Sequence, residues 1–324
     1  MDIYVKKAII HQFSPDDTDL YLADKFLNIT PKIEEYLRKK IERVYSDEAR
    51  TGIFEEDNPF LEMISDDLLE TSVAVANRWK EEFVVSENQK TNDLVFVQFS
   101  KEGVEHFAFL RIALRETLTH LGGEVDNPIK LTQNNLPGFG TGADEALVIN
   151  LQSRKYHLIE KRIKYNGTFL NYFSENLLQA QPLISPKKSI KALEKTAQKI
   201  AESFNTDDFQ FQSKVKSAIF NHIEEENKLS PEKLADDLFD DNLTARLSFI
   251  DQVKETVPEP VTFEEIDASR QLKKFENQKL SLSNGIELIV PNNVYEDAES
   301  VEFILNENGT YSILIKNIED IQSK

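Results

Sequence analysis

The residues best placed to do chemistry are cationic. Arg154, Lys155, Lys161, Arg162, Lys164, Lys187, Lys191, Lys195 and Lys199 crowd one stretch of an otherwise acidic chain. With Lys188 they give residues 151–200 ten cations against three acids, Glu160, Glu175 and Glu194, a local charge of +7. The whole chain carries 38 Lys and Arg against 57 Asp and Glu, a net −19, so the remainder sums to −26. Ammonium and guanidinium groups gathered this way suit phosphate, and lysine positions a nucleic-acid backbone without reading its bases. On a helical wheel of about 100° per residue, Lys187, Lys191, Lys195 and Lys199 span an arc of about 120°. Ile190, Leu193, Ala197, Ile200 and Phe204 fall on the opposite side. A solvated lysine face on a packed helix has the same pattern, so the spacing permits phosphate contact without requiring it. Residues 154–164 read as part of a strand, which sends their charges to both faces.

Other constellations carry less. Gly138-Phe139-Gly140-Thr141-Gly142 resembles a phosphate-binding loop, but it lacks the spacing and the lysine, and a strand follows it where a helix is needed. A mobile surface loop is expected there. His11, His106, His120, His157 and His222 show no recognised metal-ligand spacing, although His106 and His120 flank a strand. The pairs Asp16-Asp17, Asp66-Asp67, Asp236-Asp237 and Asp240-Asp241 read as solvated faces, because neighbours on a helix diverge by about 100°. Asn28-Ile29-Thr30, Asn166-Gly167-Thr168 and Asn308-Gly309-Thr310 match the glycosylation sequon but read better as a cap and turns. With no cysteine, disulfides, thiolate metal sites and a cysteine nucleophile are excluded. No metal or redox cofactor is expected.

These side chains must be held by a chain of 324 residues, enough for about two domains. Twenty-one Phe and nine Tyr supply core material. Residues 1–7 lack the basic-then-apolar order of a signal peptide. No apolar run approaches the ~18 residues that span a bilayer. A soluble cytoplasmic protein with no membrane partner is expected.

Strands are expected at 3–13, with a return at 20–22, at 94–99 and 104–114 around Lys101-Glu102-Gly103, and at 146–151 and 156–163. Thr30-Pro31 starts a helix whose face is Ile33, Leu37, Ile41 and Val44. A second helix is predicted over 60–83 and a short aromatic one over 169–178, with 122–143 rich in turns. Pro182 and Pro186 interrupt both regular structures and mark a boundary. Helices follow at 187–204, 209–227, from Ser230-Pro231, and at 243–256. Strands close the chain at 279–282, 285–290, 301–305 and 311–315, with Asn308-Gly309 as a hairpin signal. The expected fold is α+β. A mixed N-terminal domain with a largely antiparallel sheet spans 1–182, and a helical segment with a C-terminal β meander spans 183–324.

The order of these parts resembles the bacterial nucleoid-associated proteins of the NdpA/YejK type. The resemblance is carried by Ala8-Ile9-Ile10-His11-Gln12, by Arg43-Val44-Tyr45 before Gly52-Ile53-Phe54, by Tyr156 and Lys161 before Phe169-Leu170-Asn171-Tyr172-Phe173, and by Leu272-Lys273-Lys274-Phe275. It implies a place on the nucleoid, association with DNA and no catalytic residue. The run Lys161-Arg162-Ile163-Lys164-Tyr165-Asn166-Gly167 places its glycine later than in the family pattern. The sequence therefore points to weak, largely nonspecific binding of double-stranded DNA through residues 151–200. The alternative is an acidic regulator that reaches the nucleoid through a DNA-processing enzyme. A homodimer is compatible with either.

Overall fold

The computed structural model describes residues 1–16, 19–83, 90–120, 129–205, 209–263 and 265–320, the side chains of 265–267 excepted. Asp17 and residues 122–128 of the turn-rich stretch lie outside them. The chain divides into two compact units, Met1–Ser185 and Pro186–Lys324.

The first unit begins with β1 (Ile3–Ser14), β2 (Asp19–Tyr21) and α1 (Pro31–Glu42). β3 (Arg50–Ile53), α2 (Pro59–Glu62) and α3 (Leu68–Phe83) follow. Then come β4 (Asn92–Lys101), β5 (Val104–Ala113), β6 (Arg115–His120) and β7 (Ile129–Asn135). β8 (Glu145–Asn150), β9 (Lys155–Ile159), β10 (Ile163–Tyr165) and β11 (Thr168–Leu170) complete it. Seven strands form one sheet in the order β2-β1-β4-β5-β8-β9-β3, and every neighbouring pair is antiparallel. Apolar surface covers both of its faces. Phe96, Phe107, Phe109 and Leu147 pack with Val75, Trp79 and Phe83 of α3. Val95, Val97, Ala108 and Leu110 pack with Leu37 and Ile41 of α1. Burial on both faces is why β4 and β5 read as nearly continuous apolar runs.

Local chemistry sets the element ends. Thr30 caps α1, its Oγ accepting from Ile33 N at 3.4 Å. The β4–β5 turn places Glu102 at φ 54° and Gly103 at φ 82°, the left-handed pair that a two-residue hairpin turn demands. The helix expected over 60–83 is two helices. Asp67 Oδ1 accepts from Leu69 N at 2.9 Å and Thr71 Oγ1 from Ser65 N at 2.9 Å, so polar side chains hold the backbone between them. The aromatic helix expected over 169–178 begins as the end of strand β11 and narrows to a short π-helix over Phe173–Leu177. Asn166 and Gly167 both adopt positive φ, which folds β11 onto β10. Leu178 N then donates to Phe173 O, five residues back, at 2.9 Å. β7, inside the turn-rich stretch, pairs antiparallel with β6, which precedes it.

The segment after the π-helix is tied down. Leu183 N donates to Thr51 O at 2.8 Å on the outermost strand β3. The Arg50 guanidinium donates to Pro182 O at 2.8 Å and is paired with Glu160.

The second unit packs α4 (Pro186–Ser203), α5 (Phe209–Glu226), α6 (Pro231–Leu238), α7 (Leu243–Lys254) and α8 (Glu265–Phe275). Leu193, Ile200, Ile219, Ile223, Leu234 and Phe249 are buried among them. The expected Ser230 cap on α6 is present; α8 has no counterpart in the sequence reading. The C-terminal β region is two hairpins, Asn277–Ser281 with Glu287–Pro291 and Val301–Leu305 with Tyr311–Ile315. Gly309, at φ 80°, donates its N–H to Asn306 O at 2.9 Å inside a five-residue loop.

Candidate nucleic-acid interface

The nine candidate cations fall in both units. Lys187, Lys191, Lys195 and Lys199 lie on α4, whose Ile190, Leu193, Ala197 and Ile200 are buried. Lys191, Lys195 and Lys199 are exposed, and Lys187 is half-buried. Lys199 Nζ donates to Gln252 Oε1 on α7 at 3.1 Å. Glu194 stands among them. Burial pushes its carboxyl above the ordinary range, against the pull of Lys216 and Lys191. Phe204 lies just beyond the helix and is half-buried.

In the first unit the cations separate into two groups. Arg154, at φ 61° in the β8–β9 turn, pairs with Glu56 at 3.1 Å, and Lys155 begins β9 opposite Ile53. Lys161, Arg162 and Lys164 follow the far end of that strand, which spans five residues or about 17 Å. These three line one cavity of about 280 Å³, together with Phe83, Lys90, Arg111, Ile163 and Phe169. Among the described residues that line it, five of eight are cationic and none is acidic. Arg154 and Lys155 are not among them.

A buried polar network holds this cavity. Arg111 ends the apolar face of β5, and β8 brings Glu145 opposite it. Arg111 Nε donates to Glu145 Oε2 at 2.6 Å, and its Nη1 donates to Asn92 Oδ1 at 2.8 Å. The Tyr172 hydroxyl donates to the same carboxylate and accepts from Trp79 Nε1 at 3.0 Å. Burial, then the neighbouring Glu145, holds that hydroxyl protonated well above its usual range. Lys161 N donates to Glu145 Oε1 at 3.2 Å, and Lys161 Nζ meets Asp144 Oδ1 at 2.7 Å. Burial raises the Asp144 carboxyl, but hydrogen bonds from Lys161 and from Ala113 N outweigh it and hold it below the usual carboxylate range.

The glycine-rich loop, exposed at Gly138, Phe139 and Gly140, turns carbonyls inward to a lysine. The ammonium of fully buried Lys40 donates to the carbonyls of Pro137, Gly138 and Thr141 and lies 4.4 Å from the Tyr36 ring centroid. The loop is therefore pinned from below. Burial lowers Lys40 to about 8, with Arg43 adding to the effect.

Three histidines are buried. His11 bridges Ser72 Oγ at 2.9 Å and Ala23 N at 3.0 Å. His106 Nδ1 lies 2.9 Å from Val104 O, and His157 packs 4.6 Å from the Tyr45 ring. Among the described residues no group of three His, Cys, Asp or Glu could hold a metal ion. None of the described helices is long and apolar enough to cross a membrane.

A sequence model of the family described as nucleoid-associated protein YejK matches residues 9–321. The chain belongs to that family. No curated protein matches it. The match runs through both units.

Two parts of this nucleoid-associated protein escaped the sequence reading, yet each left a trace. Arg111 follows Phe107 and Phe109 at alternate positions, a charge on a strand face that is otherwise apolar. Lys40 lies seven residues after Ile33, which returns it to the apolar face of α1 within about 20°.

Proposed function

We propose that this chain binds double-stranded DNA weakly and largely without sequence preference, as a non-enzymatic protein of the cytoplasmic nucleoid. The observation that carries the reading is the α4 face: Lys191, Lys195 and Lys199 exposed, opposite a buried apolar stripe. Point charges on flexible stems contact phosphates and leave bases unread. The surrounding negative charge opposes tight nonspecific binding, so a local contact of modest strength is expected. Arg154 and Lys155 supply a second group of cations in the first unit.

The test replaces Lys187, Lys191, Lys195 and Lys199 together with Glu, which turns the +7 window to −1. The variant should keep its melting transition, because exposed helix charges are each worth only a few tenths of a kcal/mol. Its affinity for purified duplex DNA should fall, and the log–log salt slope should shrink by about one unit per lost contact. A folded variant that binds duplex as the parent does removes this reading. The regulator of a DNA-processing enzyme then moves ahead, favoured by the −26 carried outside the basic window.

A further inference from the structure

The cavity in the first unit differs in kind from the α4 face. A lysine stripe offers a surface to a polyanion, whereas this is a half-open recess with a fixed cation in its wall. Arg111 is only 7% exposed. Its Nε and Nη1 are engaged by Glu145 and Asn92, and its guanidinium carbon lies 5.1 Å from the Phe83 ring centroid. Its Nη2 donates to no group among the described residues while the side chain lines the cavity. A guanidinium fixed in this way presents its remaining donors to an anion with little further loss of freedom.

The other walls supply more charge and one exposed ring. Lys161 is compensated by Asp144, but Arg162 and Lys90 are held by no carboxylate among the described residues. Lys164 and Phe169 stand directly opposite each other in the β10–β11 hairpin, so ammonium and ring leave the same face side by side. Phe169 is 62% exposed, an unusual position for a phenylalanine at the mouth of a cationic cavity. Its exposure costs apolar burial that a stacked planar ring would restore.

We propose that this cavity binds one nucleoside phosphate, its phosphate held by Arg111 and Arg162 with Lys161 and Lys164, its base stacked on Phe169. The volume, about 280 Å³, is near the lower end of ligand cavities and suits a single nucleotide. A paired duplex cannot present a base to Phe169, so the source is a free nucleotide or an unpaired nucleotide of a DNA strand. The inference deepens the nucleic-acid reading but rests on different residues from the α4 face.

The experiment uses the full chain and three probes: dAMP, inorganic phosphate, and a 5′-phosphorylated single-stranded oligothymidine. Calorimetry should show saturable dAMP binding. Phe169→Ala should weaken dAMP by about tenfold, the scale of one base–aromatic stack, and leave phosphate affinity as it was. Arg162→Glu should weaken all three probes. Both residues are at the surface, and unchanged Trp79 fluorescence will verify that each variant is folded. An oligonucleotide that binds more tightly than dAMP identifies an unpaired strand as the source; equal affinities identify the free nucleotide. Absence of saturable binding of both dAMP and the oligonucleotide overturns the proposal. So does dAMP affinity that ignores Phe169→Ala or Arg162→Glu. The quadruple α4 variant separates the two readings: it should lose duplex DNA and keep dAMP. A parent protein that takes dAMP but not duplex would end the duplex reading and leave the cavity standing.

Discussion

Glu145 is the residue on which the first unit's polar interior turns. It is fully buried and accepts from Arg111 Nε, the Tyr172 hydroxyl and Lys161 N. Glu145→Gln keeps the shape and removes the charge, which leaves the Arg111 guanidinium without its anion in a site that is 7% exposed. Breaking a buried pair by removing one partner costs about 3–5 kcal/mol, against a total stability of about 5–15 kcal/mol. The amide oxygen still accepts one hydrogen bond, so the lower end, about 3 kcal/mol, is expected. The assay is urea unfolding followed by fluorescence. Trp79 is the only tryptophan in the chain, is fully buried, and donates to Tyr172 at 3.0 Å, so it reports on this network. The double variant Arg111→Met with Glu145→Leu removes both charges together and should recover most of the loss, because apolar replacement of a buried pair is often neutral. The cycle built from Arg111→Met, Glu145→Leu and their double variant should show a coupling of at least about 2 kcal/mol. A Glu145→Gln loss below about 1 kcal/mol, or additive single variants, would refute the argument that this pair is electrostatically coupled.

Three further outcomes follow from the packing. Burial lowers the pKa of His11, His106 and His157, the last to about 3 from 6.5. The unfolded chain takes up these protons near pH 6.5 and the folded one does not, so stability falls as pH drops below that value, by up to about 1.4 kcal/mol per unit per histidine. Urea midpoints at about pH 7.5 and about pH 5.5 will show the loss, and His157→Gln will lessen it. We also propose that Met1–Ser185 folds alone; the fragment should unfold cooperatively by Trp79 fluorescence, and a featureless emission shift would contradict this. Gly52→Ala would place a Cβ 2.9 Å from Tyr156 Cε1 and closer still to its hydroxyl, against a ring 1% exposed, so thermal unfolding should show a cost of about 1–3 kcal/mol.

Much of the molecule was legible because its signals are local. Thr30-Pro31 and Ser230-Pro231 begin helices by capping chemistry that needs no tertiary partner. The Ile33, Leu37 and Ile41 stripe and the alternation through Phe107 and Phe109 state which faces are buried. The illegible parts depend on pairing at a distance. Arg111 joins Lys161 only because β5 and β8 set Arg111 against Glu145, whose carboxylate then reaches Lys161. Nothing near position 111 carries that information. The carbonyl cradle that the glycine-rich loop offers Lys40 was illegible for a related reason. Whether such a segment turns its amides or its carbonyls inward is set by what lies beneath it, and Lys40 is about a hundred positions away in the chain.

The tie between Leu183 and β3 bears on what the edge of the sheet can pair with. An outer strand presents unpaired amides and carbonyls, which is a template for joining sheets from separate molecules. Here Leu183 occupies the Thr51 carbonyl and Arg50 keeps Pro182 in place, so the residues leading out of the first unit double as a blocking strip. Shortening the chain to residue 180 would leave the sheet's apolar packing untouched and strip that cover. Such a fragment should fold and then self-associate edge to edge, with solubility falling as concentration rises, while the fragment ending at Ser185 stays dispersed.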